Sequence, residues 1–206
     1  MDLARGSRIT FNRSYHRLAA TLAMFTAAAA TPALAGGTVS GKVEVMPAKY
    51  LEETVVYLKD VPGTYAPKSL SMDQQGMKFI PRVLVATQGD TVDFLNHDTV
   101  AHNVFSPDND AYNLGTFKPG EKRSHTFGST GVYTQLCSIH PEMLGFIVVE
   151  QNPYAAVVDG SGHYAVKDVP AGTYEIAVWN SHLKAAPRKI TVTDGKTTEA
   201  SFSLHR

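Results

Sequence analysis

Four residues of this chain have the types and spacing to hold one metal ion. Cys137-Ser-Ile-His140-Pro-Glu-Met143 offers a thiol, an imidazole and a thioether with two residues between each, and a further imidazole lies upstream in Asp98-Thr-Val-Ala-His102-Asn103. One thiolate, two imidazoles and one thioether make the donor set of a trigonal His2Cys copper site with a long axial methionine. Zinc competes for such residues, but its sites draw on thiolate, imidazole and carboxylate, and a thioether is a poor ligand for it. Taken singly, a lone cysteine is most often a small buried hydrophobe and a methionine near a strand end is core. The shared spacing favours the metal.

The elements that must position these donors read as strands. Helical periodicity is almost absent after residue 36, while short alternating or β-branched runs recur between Gly, Pro and Asp turns. Strands are expected at 38–45, 54–58, 83–86, 91–96, 101–105, 122–127, 131–137, 146–150, 162–166, 172–179, 188–193 and 197–204. An all-β sandwich follows. Cys137 then closes a strand that fixes its direction, a tight turn carries His140 and Met143 back over the metal, and His102 arrives from a neighbouring strand. A cage of this kind barely moves when Cu(II) becomes Cu(I), which favours electron transfer.

The N-terminus bears on the same cysteine. Arg5, Arg8, Arg13 and Arg17 precede an apolar run from Leu18 to Ala30 that ends at Ala33-Leu34-Ala35, the pattern of a secretory signal peptide. Residues 1–35 are therefore expected to be removed after Ala35, giving a periplasmic chain without a membrane span. An unpaired thiol in an exported protein needs an explanation, and capture as a metal thiolate supplies one. The whole chain carries 19 basic and 19 acidic residues; without Arg5, Arg8, Arg13, Arg17 and Asp2 it carries 15 and 18, a net charge near −3. No basic face for nucleic acid is suggested.

From Phe79 to Glu150 the chain resembles a cupredoxin, the Greek-key β-sandwich of plastocyanin, pseudoazurin and amicyanin. The resemblance runs through Phe79-Ile-Pro81, Gly89-Asp90-Thr-Val-Asp-Phe94-Leu-Asn96, His102-Asn103-Val, Gly131-Val-Tyr133 and Cys137-Ser-Ile-His140-Pro-Glu-Met143, with the short ligand loop of amicyanin. It implies one copper ion held by His102, Cys137, His140 and Met143. It also implies that the side chain of Asn103 ties its loop to Ser138, orienting the ligands. Gln135 departs from the family, which often has an aromatic residue two before the cysteine. The implied activity is that of a type 1, blue copper protein passing one electron through the edge of His140 to a c-type cytochrome or a dehydrogenase. The alternative is copper delivery or storage, disfavoured because no Met-rich or His-rich tract accompanies the ligands. An enzyme is not expected: copper nitrite reductases need a second, His-bound copper, and no second cupredoxin motif occurs.

The flanking segments suggest a second, smaller domain. Gly37-Thr-Val-Ser-Gly-Lys-Val-Glu-Val with Thr54-Val-Val-Tyr-Leu, and Val158 to Tyr174 with Ile190 to Thr198, resemble the early and late strands of a carboxypeptidase regulatory-like β-sandwich. Residues 36–69 and 151–206 are thus expected to form a split sandwich, with the copper domain at 70–150 inserted in an exposed turn, where insertions are best tolerated. Val39, Val43, Val55 and Tyr57 should pack on Tyr174, Ile176 and Val178. Lys59-Asp-Val-Pro-Gly-Thr-Tyr65 echoes Lys167-Asp-Val-Pro-Ala-Gly-Thr-Tyr174, but the flanks fall out of register, so no repeat is expected. Met46, Met72 and Met77 are too sparse for a thioether site, and His97 and His125 read as surface or turn residues.

Overall fold

The computed structural model describes residues 36–206; the expected signal segment, 1–35, lies outside the described residues. In chain order the elements are β1 (Gly37–Val45), a 3-10 helix (Ala48–Glu53), β2 (Thr54–Lys59), β3 (Ser69–Gln74), β4 (Phe79–Ile80), β5 (Val83–Thr87), β6 (Thr91–Asn96), β7 (His102–Ser106) and β8 (Tyr112–Phe117). They continue with β9 (Lys122–Thr126), β10 (Gly131–Leu136), β11 (Leu144–Glu150), β12 (Ala155–Val157), β13 (His163–Val169), β14 (Gly172–Asn180), β15 (Arg188–Val192), β16 (Thr197–Glu199) and β17 (Phe202–Leu204).

These strands form four sheets. β13, β1, β16 and β17 make the first, β12-β2-β14-β15 the second, β5-β11-β10-β7-β8 the third and β4-β3-β6-β9 the fourth. Three apolar clusters lie between successive sheets. Val39, Val43, Val56, Leu58, Tyr174 and Ile176 fill the space between the first and second sheets. Val55, Val83, Phe146 and Val148, with Tyr57 and Trp179 packed against them, join the second to the third. Phe94, Phe117, Phe127, Tyr133, Ile147 and Val149 form the core between the third and fourth, and Cys137 and Met143 belong to it.

Strands buried on both faces read as continuous apolar runs instead of alternating ones. β2 and β11 are of that kind, and this corrects one expectation. Val39, Val43, Tyr174 and Ile176 meet as foreseen, whereas Val55 and Tyr57 face the opposite side of β2 and pack on the third sheet, leaving Val56 and Leu58 to fill the first core. Thr54-Val-Val-Tyr-Leu is apolar on both sides, so alternation could not show which side faced which neighbour.

Pairing crosses the length of the chain. β1 pairs with β13, β16 and β17, and β2 with β14 and β12, while β3 to β11 pair only among themselves. Most expected strands are present within a few residues. The last is divided: Ala200 is buried and its N–H bonds Ser40 O at 2.8 Å, and a Cβ at Gly41 would run into the Ala200 carbonyl. β3, β4, β8 and β12 were not foreseen. The echoed segments share a conformation: Asp60 and Asp168 are left-handed at φ 52 and 56°, and the hydroxyls of Tyr65 and Tyr174 donate to Val61 O at 2.9 Å and Pro170 O at 3.0 Å.

Glu150 closes β11 beside Lys59, and burial pushes its carboxyl up to about 7, with Lys59 opposing. The unfolded carboxyl ionises first, near 4.5, so stability falls as pH rises from about 4.5 to about 7 and then levels off. Glu150→Gln should match the parent at pH 4 and melt higher at pH 8. A gain of about 1 kcal/mol, discounted for residual hydration of the carboxylate, corresponds to roughly 2–4 °C at this chain length. Thermal melts across pH check it; parallel profiles for the two proteins would refute it.

Candidate metal centre

Three of the four expected donors converge at one end of the core between the third and fourth sheets. Donor atoms of His102, Cys137 and His140 all lie within 4.8 Å of one another, the one such group of three or more His, Cys, Asp or Glu side chains among the described residues. His102 Nδ1 is 3.0 Å from His140 Nδ1, and the latter is 3.9 Å from Cys137 Sγ. Met143 is buried in the same apolar cluster as Cys137. His102 and Cys137 are buried as well, and His140 is only half-buried.

Local chemistry explains the convergence. Cys137 follows directly on β10, whose pairing with β11 holds Leu136 opposite Leu144. Between them the loop turns on a bond from Met143 N to His140 O at 3.0 Å, with Pro141 in the second position of the turn, where its fixed φ is favourable. His102 opens β7, whose partner β8 carries an extra residue between Asn113 and Thr116. Gly115, at φ 72°, supplies the left-handed residue such a bulge needs.

Asn103 organises both sides of the cysteine. Its backbone N–H points at Cys137 Sγ at 3.4 Å, and its side-chain Oδ1 accepts from Ser138 N at 3.3 Å. The bond that reaches Ser138 is thus to its amide. Asn103 Nδ2 in turn donates to Asn113 Oδ1 at 2.9 Å, which also accepts from Gly115 N at 2.9 Å. Asn113 had not been singled out from the sequence, although Asn-x-Gly in a strand is a bulge signal.

Asp98 was also missed. Its Oδ2 accepts from His102 Nε2 at 3.0 Å and from Met77 N at 2.8 Å, and its Oδ1 from Thr99 N at 2.7 Å. The Met77 amide, the His102 ring and the Thr99 amide together hold its carboxyl down at about 2. Spacing of four residues before the expected ligand His102 was the available clue.

Gln135, the departure from the family pattern, is fully buried and donates from Nε2 to Tyr133 O at 3.0 Å. The aromatic mass comes from β8 and β9 instead: Tyr112 donates its hydroxyl to Gln135 Oε1 and stacks on His125 at 3.8 Å. His125 is therefore half-buried, not a free surface residue, and burial lowers its pKa. His97 is 61% exposed, paired with Asp73 at 2.9 Å. Met72 is core, while Met46 and Met77 are exposed.

The site suits copper on its own chemistry. A buried thiolate position with an N–H donor aimed at it, two imidazole nitrogens and a buried thioether are soft and borderline donors, with no carboxylate oxygen among them.

Comparison with known proteins agrees. Residues 66–150 match the model of the copper binding proteins of the plastocyanin/azurin family. Residues 131–200 match a second model, that of polysaccharide lyase family 4, domain II, which begins inside the copper-binding segment. Among solved structures, a purple cupredoxin from Nitrosopumilus maritimus is 26% identical over 39% of this chain and 99% of its own, with a TM-score of 0.37. A Cu(I) amicyanin variant is 30% identical over 40% of this chain and 82% of its own, with a TM-score of 0.38. A copper-containing nitrite reductase from Thermus scotoductus SA-01 is 25% identical over 54% of this chain but only 28% of its own, with a TM-score of 0.40. Residues 66–150 are a cupredoxin domain of the plastocyanin/azurin family, and copper is its cofactor.

Proposed function

We propose that this protein is a periplasmic one-electron carrier with a type 1 copper site. His102, Cys137, His140 and Met143 are the ligands in this reading, with Asn103 and Ser138 supporting them. The observation that carries it is a donor set almost wholly buried on a rigid β-scaffold, with His140 alone half-buried. Bound copper supplies a one-electron couple. The chain's own residues hold the donors still, exclude water from the buried side and leave the His140 side open to a partner. Ile139, next to His140, and Val100, near His102, are exposed apolar residues, 46% and 42% accessible. They suit a transient, largely apolar contact with a redox protein such as a c-type cytochrome or a dehydrogenase.

The domain organisation belongs to the same reading. Residues 36–69 and 151–206 form one split sandwich, residues 70–150 the copper domain, and residues 1–35 a signal peptide cleaved after Ala35. Among the described residues no helix is long and apolar enough to cross a membrane. We read the protein as a carrier and not an enzyme; the nitrite reductase alignment spans one part of a much longer chain.

Electron transfer and copper delivery differ in what moves. The loaded protein should exchange electrons rapidly with a small redox partner while giving up little copper to apo acceptor proteins. Fast loss of the metal with sluggish electron exchange would overturn the carrier reading in favour of delivery or storage.

A further inference from the structure

Asp98 divides its two oxygens between separate tasks. Oδ1 accepts from the next amide, Thr99 N, a local turn bond of the kind Asp commonly makes. Oδ2 takes no part in that turn. It accepts from His102 Nε2 at 3.0 Å and from Met77 N, at the tip of the β3–β4 hairpin, at 2.8 Å. His102 is fully buried and the Asp98 side chain is 11% exposed, so little water competes for these bonds. Asn96 holds the connecting loop from the other side, accepting from Asp98 N at 3.0 Å and donating to Val100 O at 3.0 Å.

We propose that Asp98 is the positioning residue that makes His102 a metal donor through Nδ1 and whose negative charge biases the copper couple toward Cu(II). This rests on the ligand assignment above. A carboxylate can only accept, so His102 Nε2 must carry the proton. In the neutral ring Nδ1 then keeps its lone pair, and Nδ1 is the nitrogen turned toward His140 and Cys137. The bond thus selects the tautomer and fixes the ring at once. A full negative charge behind the ring favours the more highly charged ion. Because Met77 N shares the same oxygen, the hairpin tip is tied to the ligand as well, and its exposed side chain, 46% accessible, lies at the end of that connection.

Asp98→Asn keeps the size and removes the charge. It should weaken Cu(II) binding by about 10–100-fold, the usual cost of losing such an outer partner, and weaken Cu(I) binding less. A tenfold difference between the two corresponds to a rise in reduction potential of about 59 mV. Asp98→Glu should recover part of the shift. A purely structural role for Asp98 would lower stability and leave the potential of the folded protein where it was, which would overturn the proposal. A second measurement needs neither a variant nor copper: nitrogen NMR of the apo-protein should find the His102 proton on Nε2, and a proton on Nδ1 would overturn the assignment even if Asp98→Asn failed to fold. If the parent gave no intense copper absorption, the ligand set would fall, while the tautomer would still report separately on the bond between Asp98 and His102.

Discussion

Replacing Cys137 by serine is expected to abolish the intense visible absorption of the oxidised, copper-loaded protein. That absorption comes from charge transfer out of a covalent thiolate, and a hydroxyl is neither soft nor easily ionised. The substitution is nearly isosteric at a position only 4% exposed, and Asn103 N, which now points at the sulfur, can donate to a hydroxyl oxygen equally well. The fold should therefore persist while the colour goes. Cysteine occurs once in the chain, so no other thiolate can substitute. Absorption spectra of the two proteins, with circular dichroism as the control for folding, decide the matter. A serine protein as strongly coloured as the parent would remove Cys137 from the site.

Phe146→Ala is expected to cost about 3–5 kcal/mol of stability, the range for emptying a large aromatic site in a packed core. Phe146 stands on β11 in the cluster that joins the second and third sheets, its ring 5.2 Å from that of Trp179 in an edge-on arrangement. Its neighbours Gly145 and Ile147 point the other way along the strand, Ile147 into the core that also holds Cys137 and Met143. The effect should accordingly be large on unfolding and small on the copper spectrum. Denaturant titration of the apo-protein measures the first, and absorption of the loaded protein the second. A loss below 1 kcal/mol would mean that the two halves of the stack do not rely on each other.

The proposed copper ligands could be picked out from the sequence because their chemistry is concentrated in a short, punctuated segment. Cys137 to Met143 sit in a loop whose length leaves few alternatives, and His102 with Asn103 marks the neighbouring strand. Alternation likewise announced β1, β6 and β14. What escaped was set by tertiary context. β8 reads Tyr-Asn-Leu-Gly-Thr-Phe, and its glycine, the sign of a bulge, breaks the pattern that would have revealed it. β3, Ser-Leu-Ser-Met-Asp-Gln, buries a glutamine where an apolar residue would have been the clue. The facing of β2 could not be read because both its sides are apolar, and Asp98 could not be weighed until the ring it supports was placed in space.

The order of pairing has a consequence for how the chain becomes folded. β1 and β2 are made first, yet their partners β13, β14, β16 and β17 are made last, and such distant contacts slow folding because the intervening loop must close before they form. β3 to β11 can pair before either flank is complete, since all their strand pairings are internal, and they share with the flanks the apolar seam around Phe146 and Trp179. Once they have closed, the long connection from β2 to β12 is no longer a flexible loop but a short, stiff span, since β12 lies antiparallel to β2, with Ala155 opposite Tyr57. The copper-binding segment thus serves as its neighbours' assembly jig. Until the final strands emerge, β1 and β2 present unpaired apolar edges of the kind that aggregate, so β13 to β17 determine whether those two strands are covered.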